Sequence, residues 1–208
     1  MGLIRILFEN PLLFVLLAVP LLYSLIIHEV AHAWVADKMG DSTARWVGRI
    51  SLDPRRHLDP LGTIALLLFG FGWAKPVPVN YNNFRNFRLG LILVSAAGIT
   101  ANIIVAFLAL LAFALLKPVS DGSFEIVLYQ FTRINIILAS FNLIPIPPLD
   151  GSKILMGLST RRFQYSLAQL EPYGMFIVLG LLAFGLLDRP LSYIASAIYY
   201  LIRILLPS

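Results

Sequence analysis

Three residues, His28, Glu29 and His32, form the pattern HEVAH and are the clearest chemical signal in the chain. On an α-helix, side chains four residues apart lie on the same face, with about 6 Å between their Cβ atoms. Both imidazoles can therefore bind one metal ion. A glutamate directly after the first ligand is placed to take a proton from metal-activated water. The pattern predicts metal-dependent hydrolysis, with His28 and His32 as metal ligands and Glu29 as the general base.

The alternative is that these side chains are polar groups satisfied by neighbours at a helix end. They lie, however, inside a continuous apolar run, where ionisable groups are costly and usually mark function. The chain has only three histidines. Two of them at this spacing, with a glutamate beside the first, favour the metal site.

The third ligand must come from elsewhere, because a catalytic zinc site uses three protein ligands and leaves one position open. The chain has no cysteine, so the ligand is a histidine or a carboxylate. Asp150, in FNLIPIPPLDG, is the best candidate, since the prolines before it break the helix and would hold an irregular segment against the first helix. Its alternative role is that of a turn residue before Gly151. We expect one zinc ion per chain, held by His28, His32 and Asp150.

Composition places this site in a membrane. Hydrophobic residues make up 59% of the chain and charged residues 13%, whereas about a quarter of the residues in a soluble domain are charged. We predict an all-α polytopic membrane protein, with residues 1–208 forming one membrane-embedded domain. The net charge of +5 does not indicate nucleic-acid binding, because the basic residues lie at the ends of apolar segments. The lipid bilayer is the expected surrounding.

Apolar runs close to the 20 residues or so that a spanning helix needs predict five transmembrane helices. They cover residues 11–36, 89–116, 125–147, 172–187 and 190–206. The break at 188–190 leaves the number open between five and six. A shorter run, 61–79, is interrupted by glycines and prolines, and we expect a re-entrant, β-like hairpin near residues 61–80. An extended substrate could add to its Val-Pro-Val edge as a further strand.

The distribution of lysine and arginine predicts the orientation of these helices. If the first helix runs inward, eleven such residues fall in inner segments, and the outer segments hold Arg5, Lys117 and Arg189. Short cytoplasmic loops are enriched in positive residues, so we expect the amino terminus outside. Five spans would then put the carboxyl terminus inside. The histidines precede the first inner charge, Asp37, by a few residues, which places the metal roughly 8 to 14 Å below the cytoplasmic surface.

Taken in order along the chain, these motifs resemble the site-2 protease family of intramembrane zinc metalloproteases. The matching segments are HEVAHAW, RISLDPRRHLDPLGT, FGWAKPVPVN, SAAG with Asn102, FNLIPIPPLDG and EPYG. The resemblance implies that His28, His32 and Asp150 are zinc ligands and that Glu29 is the catalytic acid and base. It also implies a multi-pass cell-membrane enzyme that cuts transmembrane protein substrates near the cytoplasmic face, usually after a first protease has shortened them.

The resemblance further implies that Asn142 and Asn102 hydrogen-bond the substrate backbone or the oxyanion, as amide side chains can. Interhelical hydrogen bonding is an equally good interpretation of both. One departure from the family pattern is Ile99, where a proline is usual, and it leaves open whether Asn102 faces the site. Two polar residues lie outside the predicted site. His57 is expected to serve its own polar loop, and Arg133, inside a predicted span, requires a partner or water.

Two other functions are compatible with some of these features. A zinc transporter could also place histidine and aspartate in its spans, but it needs successive sites across the bilayer, and all the predicted ligands gather near one face. A catalytically silent membrane scaffold or chaperone would not need the intact HEVAH and Asp150. A zinc metalloendopeptidase is therefore the favoured function.

Overall fold

The computed structural model describes residues 3–69, 72, 74–117 and 122–206, and within these residues the fold is helical without a β-strand. Short 3-10 turns lie at Pro54–Arg56, Tyr81–Asn83 and Glu171–Tyr173. The α-helices are α1 Leu3–Glu9, α2 Pro11–Met39, α3 Thr43–Trp46, α4 Pro60–Phe69, α5 Phe87–Leu116, α6 Ser123–Asn142, α7 Asp150–Leu158, α8 Arg161–Leu170, α9 Gly174–Ala183 and α10 Asp188–Ile204.

The long helices begin and end at residues whose chemistry suits those positions. Asn10 caps α2 by accepting a hydrogen bond from Leu13 N at 3.0 Å, and Asn86 caps α5 through Leu89 N at 3.1 Å. Pro11 occupies the first position of α2, where its missing N–H costs nothing. α2 ends at Gly40, whose φ of 115° lies in the left-handed region that favours glycine.

Three of these helices, α2, α5 and α6, pack against one another and form the centre of the bundle. A fully buried polar network crosses all three. Asn102 Nδ2 donates to Asn135 Oδ1 at 2.7 Å, and Asn135 Nδ2 donates to Ser24 Oγ at 2.7 Å. Lipid provides no hydrophobic force between helices, so hydrogen bonds of this kind help to hold a membrane bundle together.

The short helix α7 lies against α5 at very close range. A Cβ atom built on Gly157 would come within 2.9 Å of Arg88 O, so only glycine allows this approach. A Cβ on Gly151 would lie 2.3 Å from Leu143 O. These two glycines bring the start of α7, and with it Asp150, against the centre of the bundle.

Four helical runs among the described residues are long and apolar enough to cross a membrane: Pro11–Met39, Phe87–Leu116, Ser123–Asn142 and Arg161–Ala183. The first three correspond to predicted spans. The fourth begins before the predicted 172–187, because α8 continues through a 3-10 turn into α9. α10 has 17 residues, fewer than the 20 or so that a span needs. The predicted count of five to six is therefore not confirmed.

The direction of α10 also differs from the prediction for the carboxyl terminus. Leu187 at its start packs with Ile144 and Leu149, whereas Ile202 near its end packs with Ala106 and Ile136. α10 therefore runs antiparallel to α6. The last residues of α10 lie on the side of the bundle where α2 and α6 begin. Five spans would have placed them on the opposite side.

The predicted β-like hairpin near residues 61–80 is not confirmed. Its first half is helix α4, whose start is capped by Asp59 through Gly62 N at 2.8 Å, and leucine and alanine in the run favour helix. Its second half is extended from Ala74 onward, but the pairing is limited to one antiparallel bridge between Leu58 and Ala74. Gly70 of the predicted hairpin lies outside the described residues.

The loop after α2 is fixed by the buried carboxylate of Asp41. It accepts hydrogen bonds from Asn80 N at 2.7 Å and Asn83 Nδ2 at 2.8 Å, and from the backbone and hydroxyl of Thr43. Burial alone would raise the pKa of Asp41, but these hydrogen bonds outweigh it and lower the pKa below its ordinary value. The carboxylate thus joins the end of α2 to the segment that enters α5.

We expect Asp41→Asn to lower the free energy of unfolding by about 1–3 kcal/mol, because one amide oxygen cannot accept all these bonds. Thermal unfolding in detergent micelles measures this. Since the folded pKa is depressed, the stabilisation is present above the unfolded pKa of about 4 and is lost as the pH falls through the folded pKa. The difference from wild type should shrink in that acidic range. Asp53→Asn is the control, because exposed Asp53 caps one 3-10 turn and asparagine caps equally well.

Candidate metal centre

The two histidines of HEVAH lie on the inner face of α2, where their rings face each other. Both are buried, with 6% of His28 and 8% of His32 exposed. The two Nε2 atoms are 2.9 Å apart. Their four-residue spacing on one helix accounts for this proximity, as the sequence pattern required.

Asp150 reaches the same point from another part of the chain. It is the first residue of α7, and its Oδ2 lies 3.2 Å from the Nε2 atoms of both His28 and His32. Ligand atoms from all three residues lie within 4.8 Å of one another. Gly151 makes this possible, because a side chain at that position would strike the carbonyl groups of Leu143 and Ile144. The sequence Asp150-Gly151 therefore places a carboxylate next to the two histidines.

In each ring, the hydrogen-bond partner of Nδ1 determines which ring nitrogen carries the proton. His32 Nδ1 lies 2.7 Å from Val94 O, a carbonyl that can only accept, so this Nδ1 is the donor. His28 Nδ1 lies 2.5 Å from Asn102 Oδ1. The amide nitrogen of Asn102 donates to Ser24 O and Asn135 Oδ1, which leaves its oxygen to accept from His28. When the rings are neutral, as metal ligation requires, each Nε2 therefore presents a lone pair.

In that protonation state, three acceptor atoms converge at one point with no donor among them. Asp150 Oδ2 is buried and has no hydrogen-bond partner within the described residues. Lone pairs and a carboxylate at this separation repel unless a cation lies between them. Two imidazole nitrogens and one carboxylate oxygen, with histidine Nδ1–H groups bonded to an outer layer of acceptors, are the donor set of catalytic zinc sites. The residues fit a zinc ion.

A glycine of α5 makes room for both rings. A Cβ atom built on Gly98 would lie 2.5 Å from His28 Cε1 and 2.5 Å from His32 Nε2. α5 passes so close to α2 here that no side chain can intervene. Ile99, the departure from the family pattern, is buried in the core, and α5 continues through it so that Asn102 faces His28.

Glu29 borders the same space from the neighbouring position on α2. Its Oε2 accepts a hydrogen bond of 2.8 Å from Val77 N, in the extended segment after α4. Arg49 holds that segment by donating to the carbonyl oxygens of Lys75 and Pro76. The carboxylate is thus oriented by backbone that a buried arginine keeps in place.

These groups open onto a cavity of about 350 Å³. Its walls include Glu29, the three ligands, Val77 and Val79, and Asn142. Lys153, one turn after Asp150, also lines it, with Nζ 5.5 Å from the ring centroid of Tyr81. Burial alone would lower the pKa of Lys153, but Tyr81 and the carboxylates of Asp150 and Glu171 raise it. The cavity is large enough for a short peptide segment and carries charge of both signs.

The other predicted residues lie at different distances from this cavity. Asn142 lines it and donates from Nδ2 to Leu138 O at 3.0 Å. Asn102 does not line it, because it is fully buried behind His28. His57 is apart from the metal centre, fully buried, with Nε2 2.7 Å from Ser51 O.

Several residues that shape the site were not identified from the sequence. Gly98, Ser24 and Asn135 contact ligands or their partners, and Arg49 holds the extended segment. Small and polar residues inside apolar helices, as in the stretch SAAG, indicate positions where helices pack closely. They do not indicate which residue of another helix each of them contacts.

Comparison with known proteins gives consistent similarities. The profile of peptidase family M50 matches residues 117–184. YwhC of Bacillus subtilis, named as a zinc metalloprotease, is 42% identical over 170 residues, which cover 78% of each chain. Rip2 of Mycolicibacterium smegmatis, also named as a zinc metalloprotease, is 30% identical over 85% of this chain and 70% of its own. No solved structure matches the chain.

We expect Gly98→Ala to weaken zinc binding by roughly 10–100-fold or more, because the added methyl group displaces both imidazoles. Zinc content after dialysis against graded chelator, measured by elemental analysis, tests this. Gly180→Ala is the matched control, since a Cβ at that helical glycine meets nothing within 4 Å. Full zinc retention in Gly98→Ala, with an unchanged unfolding temperature, would contradict the assigned ligand geometry.

Proposed function

We propose that this chain, which belongs to peptidase family M50 and is a zinc metalloprotease, acts inside the bilayer. There it hydrolyses peptide bonds of transmembrane substrate helices. The observation that carries the proposal is the position of the metal centre. Its histidine ligands lie within α2, a helix long and apolar enough to span a membrane. A peptide bond must therefore reach membrane depth to be cut.

The same reasoning supports an active site near the cytoplasmic face. His28 and His32 lie in the half of α2 that leads to Asp37, and the loops beyond it are rich in lysine and arginine. The positive-inside rule assigns such loops to the cytoplasm and the amino terminus to the outside. The substrates would then be cut near their cytoplasmic ends, as in regulated intramembrane proteolysis.

In the proposed reaction His28, His32 and Asp150 hold the zinc ion. Bound there, zinc supplies a Lewis acid that makes water a usable nucleophile near neutral pH. Glu29 lines the same cavity, and its carboxylate takes a proton from the attacking water. It then returns that proton to the leaving amine. The hydrogen bond from Val77 N orients the carboxylate for both transfers.

We assign different roles to the two asparagines. Asn142 lines the cavity, and its amide could hydrogen-bond the substrate backbone or the oxyanion. The substrate-binding role predicted for Asn102 does not suit its position, because the side chain is fully buried and its amide is shared among His28, Ser24 and Asn135. Asn102 instead acts as a positioning residue that fixes the ring of His28.

Substrate entry in extended form is supported by the backbone of the segment after α4. Pro76 and Pro78 have no N–H, Val77 N is bonded to Glu29, and Asn80 N is bonded to Asp41. Within the described residues, Val79 alone in this stretch keeps both N–H and C=O without a hydrogen bond, and it lines the cavity. An extended peptide can pair with Val79 as an added strand.

We expect Glu29→Gln to retain about one zinc per chain and to lose cleavage of a transmembrane reporter helix by about 100-fold or more, since an amide cannot accept the proton. The reaction is followed in liposomes by the appearance of shortened peptide. Glu125→Gln, on α6 and away from the cavity, should cleave normally. Undiminished cleavage by Glu29→Gln would remove Glu29 as the base, and absence of cleavage by wild type on several helices would count against the protease function.

We expect Val79→Pro to lower cleavage by about tenfold or more with zinc content unchanged, because proline removes the N–H that pairs with the substrate. Val79→Ala is the control, since it shortens the side chain but keeps the N–H. Equal losses in both variants would indicate a side-chain contact and not strand addition. Full activity in Val79→Pro would refute the pairing.

A further inference from the structure

Arg133 lies halfway along α6, about 15 Å from each end of a helix that is long and apolar enough to span a membrane. Its side chain is exposed on the surface of the bundle. Within the described residues it makes no hydrogen bond or ion pair. A charged side chain at this depth is costly unless it has a partner, and such residues usually mark function.

The arginine faces away from the metal centre. At 100° per residue, Arg133 is about 160–200° around α6 from Asn135, which bonds to the central helices, and from Asn142, which lines the cavity. Exposed residues one turn to either side, Tyr129 and Ile137, continue the same outer face. A ligand of Arg133 therefore binds at a surface separate from the active site.

That surface is a groove of about 490 Å³ between α6 and α10. Arg133 lines it together with three tyrosines: Tyr129 from α6, and Tyr199 and Tyr200 from α10. Each tyrosine is about half exposed or more. A groove lined by three phenols and a guanidinium has several hydrogen-bond donors in an otherwise apolar layer. Its chemistry is suited to an anionic group carried on an apolar body.

The depth of the arginine identifies the source of that anion. The headgroup region begins about 15 Å from the middle of the hydrocarbon layer, so a lipid phosphate meets this guanidinium only if the bilayer thins or the side chain extends towards the surface. A carboxylate in the middle of a neighbouring helix meets it directly. Depth therefore favours a helix over a lipid.

A second copy of this chain does not supply such a carboxylate from its described residues. α5 has no acidic residue, the acidic residues of α6 and α10 lie near their starts, and Glu29 of α2 is engaged by Val77 in the cavity. Glu171 lies in the middle of the run Arg161–Ala183, but its carboxylate interacts with Lys153 of the cavity, and the neighbouring Gly174 packs against Pro147, beyond the end of α6. Glu171 therefore lies near the end of α6 and not at the depth of Arg133. We infer that the groove between α6 and α10 docks a transmembrane helix of another protein that carries one aspartate or glutamate near the middle of its span. The charge pair forms with Arg133, and the tyrosines bind the carboxylate edge.

The test uses synthetic helices of about 20 leucine and alanine residues with Asp, Asn or Leu at the centre. Energy transfer from a fluorophore at the amino terminus of the full chain to the labelled peptide measures binding in phosphatidylcholine liposomes, and the peptide mass is checked afterwards. We expect the Asp helix to bind roughly tenfold more tightly than the Leu helix, in line with interhelical polar contacts. Moving the Asp to the end of the helix should abolish the preference.

Arg133→Met should remove the preference for Asp while leaving binding of the Leu helix unchanged. Arg203→Met is the matched control, since Arg203 is an exposed arginine near the end of α10, and it should keep the preference. Zinc content and unfolding temperature confirm that both variants are folded. Equal binding of Asp and Leu helices by wild type would overturn the inference. The inference would also be overturned if adding anionic phospholipid to the liposomes removed binding of the Asp helix both in wild type and in Arg203→Met, because the groove would then bind a lipid headgroup.

Discussion

The structure depends on the convergence of three acceptor atoms in an apolar interior. Two imidazole lone pairs and one carboxylate oxygen approach within about hydrogen-bonding distance, and no donor of the described protein lies between them. Such an arrangement is unfavourable alone and favourable around a cation. Holding it in place requires rigid support on every side. Val94 O and Asn102 fix the rings, Gly98 lets α5 approach them, and Gly151 lets Asp150 reach them.

The support for the ligands is also the support for the bundle. Asn102 bonds the ring of His28 and, through the same amide, the groups that join α2, α5 and α6. In water, burying apolar surface would hold three such helices together, but lipid offers little of that force, and small residues and interhelical hydrogen bonds must contribute. One set of hydrogen bonds therefore orients a ligand and aligns the helices. Fold and metal centre cannot be varied independently at these positions.

The parts that were predictable from sequence are those fixed by local geometry. A four-residue spacing on a helix brings two histidines together whatever surrounds them, and a composition rich in apolar residues predicts long helices. The predicted hairpin is not confirmed, because the leucines and alanine of α4 favour helix and Asp59 caps its start, while Val-Pro-Val and the glycines affect only the residues that follow. The predicted number of spans is not confirmed, because the last helix, which begins at Asp188, has only 17 residues. Partners distant in sequence, such as Asn102 for His28, leave no local signature.

The extended segment after α4 couples substrate recognition to the position of the base. Val77 N is bonded to Glu29, while Val79, two residues on, is the position that we propose pairs with substrate. Alternate residues of an extended chain point the same way, so both groups face one cavity. Arg49 fixes the segment from behind through the carbonyls of Lys75 and Pro76. A peptide that pairs with Val79 therefore binds the same backbone segment that orients Glu29. If that segment moved, substrate pairing and the position of the general base would change together.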